Sequence, residues 1–198
     1  MVSEDRGQAY TLEAIIAAVL LISSLVFALQ VTAVTPLSAS TSNQHIENQQ
    51  RASAAGVLTA AQEAGVLKEA VLFWNDSQGE FHGAERMTFY TNTYPPNEFG
   101  NITERAFDGR GLAVNVLVYP DANADPSRMV YRGEPSDNAV SASRTVTIYD
   151  DDELTGTTPP DTTVTASEAD TFTDVVPAEA NSNGIYNVVR VEVVVWRM

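Results

Sequence analysis

Arg6-Gly7-Gln8-Ala9-Tyr10-Thr11-Leu12-Glu13 runs directly into Ala14 to Val34, AIIAAVLLISSLVFALQVTAV, and the reading of this junction decides the architecture of the chain. From Ala14 to Val34 there is no charged residue, and the next one after Glu13 is Glu47. As a helix rising ~1.5 Å per residue, the run is roughly 31 Å long and matches the ~30 Å hydrocarbon thickness of a bilayer. Its Ile, Leu, Val and Phe side chains contribute about -4 to -7 kcal/mol to insertion, against small penalties for Ser23, Ser24, Gln30 and Thr32. A single membrane span is expected, with a carboxylate, Glu13, at its mouth.

Three readings compete for this segment. A secretory signal peptide wants a basic leader and an apolar core of roughly 7 to 15 residues. Here the leader MVSEDRG sets Glu4 and Asp5 against Arg6 and the core is longer, although Val31-Thr32-Ala33 offers a cleavage site. An uncleaved anchor is the second reading. The third uses the residues that flank the core.

Asp5-Arg6-Gly7 followed by Gln8 resembles the N-terminal junction of archaeal type IV pilin-like proteins. In that family a short hydrophilic leader is cut at a charged-Gly junction while the apolar helix is retained. The resemblance implies cleavage between Gly7 and Gln8 by a prepilin-type peptidase, marked by Arg6, Gly7 and Gln8. Tyr10-Thr11-Leu12-Glu13 is similar to a shortened form of the bacterial Phe-Thr-Leu-Ile-Glu pattern, whose Glu pairs with the free amine of a neighbouring subunit. Glu13 is the matching residue, implying subunit registration; it stands sixth from Gln8, one place beyond the family's usual fifth. The resemblance covers Asp5 to Val34 and implies partners of three kinds: other pilin-like subunits, the peptidase, and membrane lipid before assembly.

Residue chemistry gives Glu13 a place of its own. A carboxylate deep in hydrocarbon costs a few kcal/mol and less near the interface, and the first helical turn favours negative charge. An interfacial Glu with no further role is thus an alternative reading. Leader removal would add an amine nearby, which offsets burial in a helix bundle. Ala14, Ala17, Ala18, Ser23, Ser24 and Ala28 are small enough to let neighbouring helices approach closely, and are also ordinary membrane-helix residues.

The chain's 198 residues, 44% of them hydrophobic, provide for one modest domain plus an anchor. Asp+Glu number 26 against 11 Lys+Arg, for a net charge of -15, and Lys68 is the single lysine. Such a surface repels nucleic acid and anionic lipid head groups, so no nucleic-acid partner is expected. The composition resembles that of extreme halophiles and implies a haloarchaeal source, where dense carboxylates keep a surface hydrated in screening salt. The absence of cysteine removes disulfides, thiol catalysis, lipid attachment at cysteine and cysteine-ligated zinc.

Beyond the span, Pro36 and the small polar stretch Leu37 to Gln50 read as a kink or stalk. From about Asn43 to Trp74, Ala54, Val57, Leu58, Ala61, Ala64, Leu67, Val71 and Trp74 recur at helical spacing and form one apolar stripe. Its partner is expected in strands downstream. Leu112, Val114, Val116 and Val118 alternate with Ala113, Asn115 and Leu117; Thr145 to Tyr149 alternates too; Tyr186 to Trp196 sets Val189, Val191, Val193 and Val195 opposite Arg190 and Glu192. Asn75 to Phe99, Asp121 to Asp137 and Asp150 to Gly184 read as long loops. The expected fold is α+β: a long N-terminal transmembrane and assembly helix, a second amphipathic helix, and an antiparallel β-sheet head. In domains this is a leader at 1–7, the assembly helix at 8–35, a polar kink and amphipathic helix at 36–74, and a β-rich extracytoplasmic head at 75–198.

Few residues point to chemistry. Asp150-Asp151-Asp152-Glu153 lacks the alternating ligands and glycine turn of a calcium loop and reads as a solvated acidic loop. His45 and His82 lack ligand-pair spacing, and Gly109-Arg110-Gly111 lacks the Lys-Ser/Thr of a phosphate cradle. With no nucleophile, base and orienter in view, no catalytic residue, metal or cofactor is expected, and the chain is not expected to be an enzyme. Asn75-Asp76-Ser77 and Asn101-Ile102-Thr103, both in expected loops, offer N-glycosylation at Asn75 and Asn101 if the head lies outside the membrane. The functional expectation is a pilin-like structural subunit, minor rather than major given its long head. The alternative is a single-span surface protein whose head binds a ligand or partner; a secreted domain cut after Ala33 ranks third.

Overall fold

The computed structural model describes residues 4–85, 88–121, 124–156, 164–179 and 183–198; over 4–9 and 31–43 it is the backbone that is described. The chain divides into two compact units, Met1–Ile46 and Glu47–Met198. Its class is α+β, with the apolar N-terminal helix, further helices and antiparallel sheets.

Helix α1 runs Glu4–Glu63, 60 residues, so Leu37 to Gln50 is helical rather than an irregular stalk. Pro36 costs one backbone hydrogen bond, yet the helix continues through it and through the Ser- and Thr-rich residues that follow. Gly65, at φ 77, ends this helical path where the sequence pattern continued to Trp74. A left-handed residue needs no Cβ, and the chain restarts at once as α2, Val66–Val71. The apolar stripe is nonetheless the one expected: Ala54, Val57, Leu58, Ala61, Leu67, Val71 and Trp74 are buried, whereas Ala64 is exposed.

The main sheet has the order β4-β3-β6-β5, antiparallel throughout, from β3 (Leu112–Tyr119), β4 (Ser127–Val130), β5 (Val140–Tyr149) and β6 (Ile185–Arg197). Register explains its core. Val114 pairs with Val195 and Val195 with Val140; Val116 pairs with Val193; Val118 pairs with Val191; Val146 pairs with Val189. These valines share one face and are all buried, so β-branched side chains meet across three strands in the geometry they favour. Arg144, opposite Val191, lies on that same face, and its guanidinium donates to Thr59 Oγ1 of α1 at 2.9 Å. Gln62 Nε2 donates to the Thr145 carbonyl at 3.4 Å, giving α1 a second link to β5.

The other face is covered more than strand alternation implies. Asn115, 1% exposed, donates to the Gly133 carbonyl at 2.9 Å and accepts the Arg132 N–H at 2.8 Å. The chain following β4 therefore folds over β3, and an amide replaces water as its partner. Strand β4 itself lies inside the stretch read as the loop Asp121 to Asp137, and β5 begins at Val140, five residues ahead of the expected Thr145.

A hairpin of β1 (Trp74–Asn75) and β2 (Glu80–Phe81) and a helix, α3 (Glu98–Phe107), occupy ground read as loop. Asn97 caps α3, its side chain accepting the Gly100 N–H at 2.9 Å. Phe99 and Phe107 pin α3 to the core. Ring contacts run from Tyr186 to Phe172 (5.8 Å), Phe172 to Trp74 (6.4 Å), Trp74 to Phe81 (5.2 Å) and Phe81 to Tyr90 (6.4 Å), joining the hairpin to β6.

Candidate functional site

The first unit presents a site by exposure. Tyr10–Gln30, 21 residues with mean hydropathy 2.5, form one helix long and apolar enough to cross a membrane. Its large side chains are open along the whole length: Leu12 is 62% exposed, Leu21 71%, and even Val26 47%. From Tyr10 to Gln30, Leu, Ile and Val are exposed all round the helix because the sequence there offers no polar face after Glu13. Burying each such side chain is worth about 1.5–3 kcal/mol, so a surface of this kind is covered by lipid or by other helices. Glu13 is exposed near the start of this span. Arg6, Gly7 and Gln8 lie on the first turns of α1, with their side chains outside the described set, and Met1 to Ser3 of the leader lie outside it altogether.

The other sequence candidates disperse. His45 is exposed on α1. The His82 ring stands 5.1 Å from that of Phe73; burial pushes its pKa down, opposed by the Trp74 backbone and the Glu80 charge. The acidic run is partly tied down: Asp152 pairs with Lys68 and accepts the Tyr149 N–H at 2.7 Å. Gly109 and Gly111, at φ 70 and 67, make the turn from α3 into β3. Asn75 ends strand β1, and Asn101, read as a loop residue, is on α3, a ten-residue helix capped by Asn97.

The structure adds groups that single-residue patterns did not reveal. Asp76 Oδ1 accepts the Thr171 N–H at 2.7 Å, the Thr171 hydroxyl at 2.9 Å and the Phe172 N–H at 3.3 Å, while Oδ2 accepts the Asp170 N–H at 3.0 Å. Burial works to raise its pKa, but these donors outweigh it and hold the carboxyl below its ordinary value. Trp74 Nε1 donates to the same Thr171 hydroxyl at 3.0 Å. Glu85 accepts the Thr91 hydroxyl at 2.7 Å and the Asn92 N–H at 2.8 Å, which lowers its pKa to about 2. These partners lie 95 and 6 residues apart in sequence; only the near pair sits within the reach of a turn-forming pattern.

Above the hairpin is an open groove of about 660 Å³, floored by Trp74 and Phe81 and walled by Phe89, Arg128, Asp125 and Asp174. Arg128 also lies over the Tyr131 ring at 4.2 Å. An apolar floor with charged groups at the rim suits binding more than bond making.

A protein-family model described as "Family of unknown function (DUF7288)" matches residues 6–195. No curated protein and no solved structure matches the chain.

Proposed function

The chain belongs to that family of unknown function, and from this premise we propose that it is a pilin-like structural subunit of an archaeal cell-surface filament or pseudopilus, in the minor role. Its leader is cut after Gly7, its N-terminal helix rests in the membrane before assembly, and its head stands outside the cell. The observation that carries the reading is the exposure of Tyr10–Gln30 along its length. Lipid alone would satisfy that surface. The junction Arg6-Gly7-Gln8, the carboxylate of Glu13 and the small residues Ala14, Ala17, Ala18, Ser23, Ser24 and Ala28 favour a second cover, the same helix of other subunits.

The test is the intact mass of the native protein. A chain beginning at Gln8 supports the subunit; one beginning at Met1 or Val2 supports a plain anchor; one beginning at Val34 sinks both. Glu13→Gln then asks about registration: insertion should persist while assembly into filaments falls, and unchanged assembly removes Glu13 from that role.

A second reading, a single-span surface protein whose head binds a ligand or partner, draws on the groove over Trp74 and Phe81. The two readings separate on the same mass measurement.

A further inference from the structure

The head carries two Asn-X-Ser/Thr motifs, and the fold treats them oppositely. N-glycosyl transfer needs the side-chain amide reachable and the motif's hydroxyl close to it, which calls for a turn that brings residues i and i+2 together. At the β1–β2 hairpin this is the geometry present. The Ser77 hydroxyl donates to Asn75 Oδ1 at 3.1 Å, and both Ser77 and Gln78 are exposed. Asn75 Nδ2 points toward this open turn, donating to the Gln78 side chain at 2.6 Å. The central residue of the motif is no obstacle: Asp76 turns its carboxylate away onto the backbone N–H groups of Asp170, Thr171 and Phe172.

At the second motif the geometry forbids the same encounter. Asn101 and Thr103 sit on α3, where residues two apart point to different sides of the helix. Thr103 is 0% exposed and its hydroxyl donates to the Phe99 carbonyl at 2.8 Å. Asn101 Nδ2 donates to Glu98 Oε2 at 3.0 Å, which keeps a carboxylate beside the acceptor nitrogen. That charge repels an anionic donor.

We propose that Asn75 is the N-glycan acceptor of the folded head and that Asn101 is not. The proposal rests on the extracytoplasmic placement of the head argued above. The donor is a lipid-phosphate-linked saccharide. A bond forms between Asn75 Nδ2 and the anomeric carbon, the bond from that carbon to the phosphate oxygen breaks, one amide proton passes to a base of the transferase, and the lipid phosphate leaves. No electron transfer is involved. The glycan would stand on the hairpin tip, with Asp76 anchoring the hairpin from below.

The test is peptide mapping by mass spectrometry of the full chain made in an archaeal cell that N-glycosylates its exported proteins. Beside it runs the double variant S136N/N138S, which places the same Asn-Asp-Ser tripeptide in an exposed turn. The expected result is saccharide mass on the Asn75 peptide, its loss in Asn75→Gln, and an unmodified Asn101 peptide. A filled position 136 with an empty Asn75 overturns Asn75 as acceptor, and a filled Asn101 overturns the exclusion by α3. If position 136, Asn75 and Asn101 are all empty, the head is not where the transferase works, and the extracytoplasmic reading fails instead.

Discussion

Lys68, the chain's only lysine, forms an ion pair with Asp152 and lies over the Tyr149 ring at 4.8 Å from its centre. In a chain of net charge -15 this cation stands at a join: α2 carries Lys68, and the segment after β5 carries Asp152. Thr155 reinforces the join, its N–H reaching the Leu72 carbonyl at 2.8 Å and its hydroxyl the Glu69 carbonyl at 3.0 Å.

Lys68→Met should therefore destabilise the head by about 1 kcal/mol, the upper range of a partly shielded pair. Lys68→Arg should recover most of it, since the charge and the stacking on Tyr149 are kept. Urea unfolding of the head at fixed salt measures both. A Lys68→Met variant as stable as the parent, with an unchanged slope, would leave the pair without energetic weight.

Asp76 gives a pH dependence whose sign follows from its depressed pKa. In the unfolded chain it titrates near the ordinary 3.8, and in the folded head lower, so the stability it contributes is present above that value. That contribution is lost as the pH falls through the folded pKa. Asp76→Asn keeps an acceptor oxygen but no charge, so it should flatten the acid side of the stability profile below about pH 4 and cost about 1–3 kcal/mol at neutral pH. Thermal melts from pH 3 to 7 for both proteins compare the slopes; parallel profiles would remove Asp76 as the cause.

Two glycines make opposite forecasts. A Cβ on Gly100 would run into the Pro95 carbonyl oxygen, a backbone atom that cannot swing aside. Gly100→Ala must therefore displace the start of α3, at a cost of about 1–3 kcal/mol or more. Gly56, in α1, has nothing within 4 Å of its virtual Cβ, so Gly56→Ala should stabilise by about 0.5–1 kcal/mol through helix propensity. Denaturant midpoints of the two variants should move apart in opposite directions.

What the sequence disclosed was whatever a single period carries. Val189, Val191, Val193 and Val195 alternate strictly, and they line one face of β6. The first half of β5 hid because Ala142 and Arg144 occupy inner-face positions, where a small side chain and a charge aimed at Thr59 break the apolar alternation. Helix α3 was concealed by Pro95-Pro96 and Gly100, which read as loop, although Asn97 as cap with Phe99, Thr103 and Phe107 at helical spacing would have revealed it. Strand β4 is four residues long, too short to show a period at all. The Asp76 network was beyond reach for another reason, because its donors follow 94 to 96 residues later.

The core itself supports a last prediction. Among the described residues its buried members begin at Ala54, and with Gln50 they all belong to the unit Glu47–Met198. Along Tyr10–Gln30, no residue is buried. A fragment from Glu47 to Met198 should thus fold cooperatively without detergent, with a melting curve within a few degrees of the full chain's head transition, while the full chain partitions into membranes. Circular dichroism of the fragment against the detergent-held full chain makes the comparison. A fragment that stays unfolded, or that unfolds without cooperativity, would mean that residues before Glu47 complete the core.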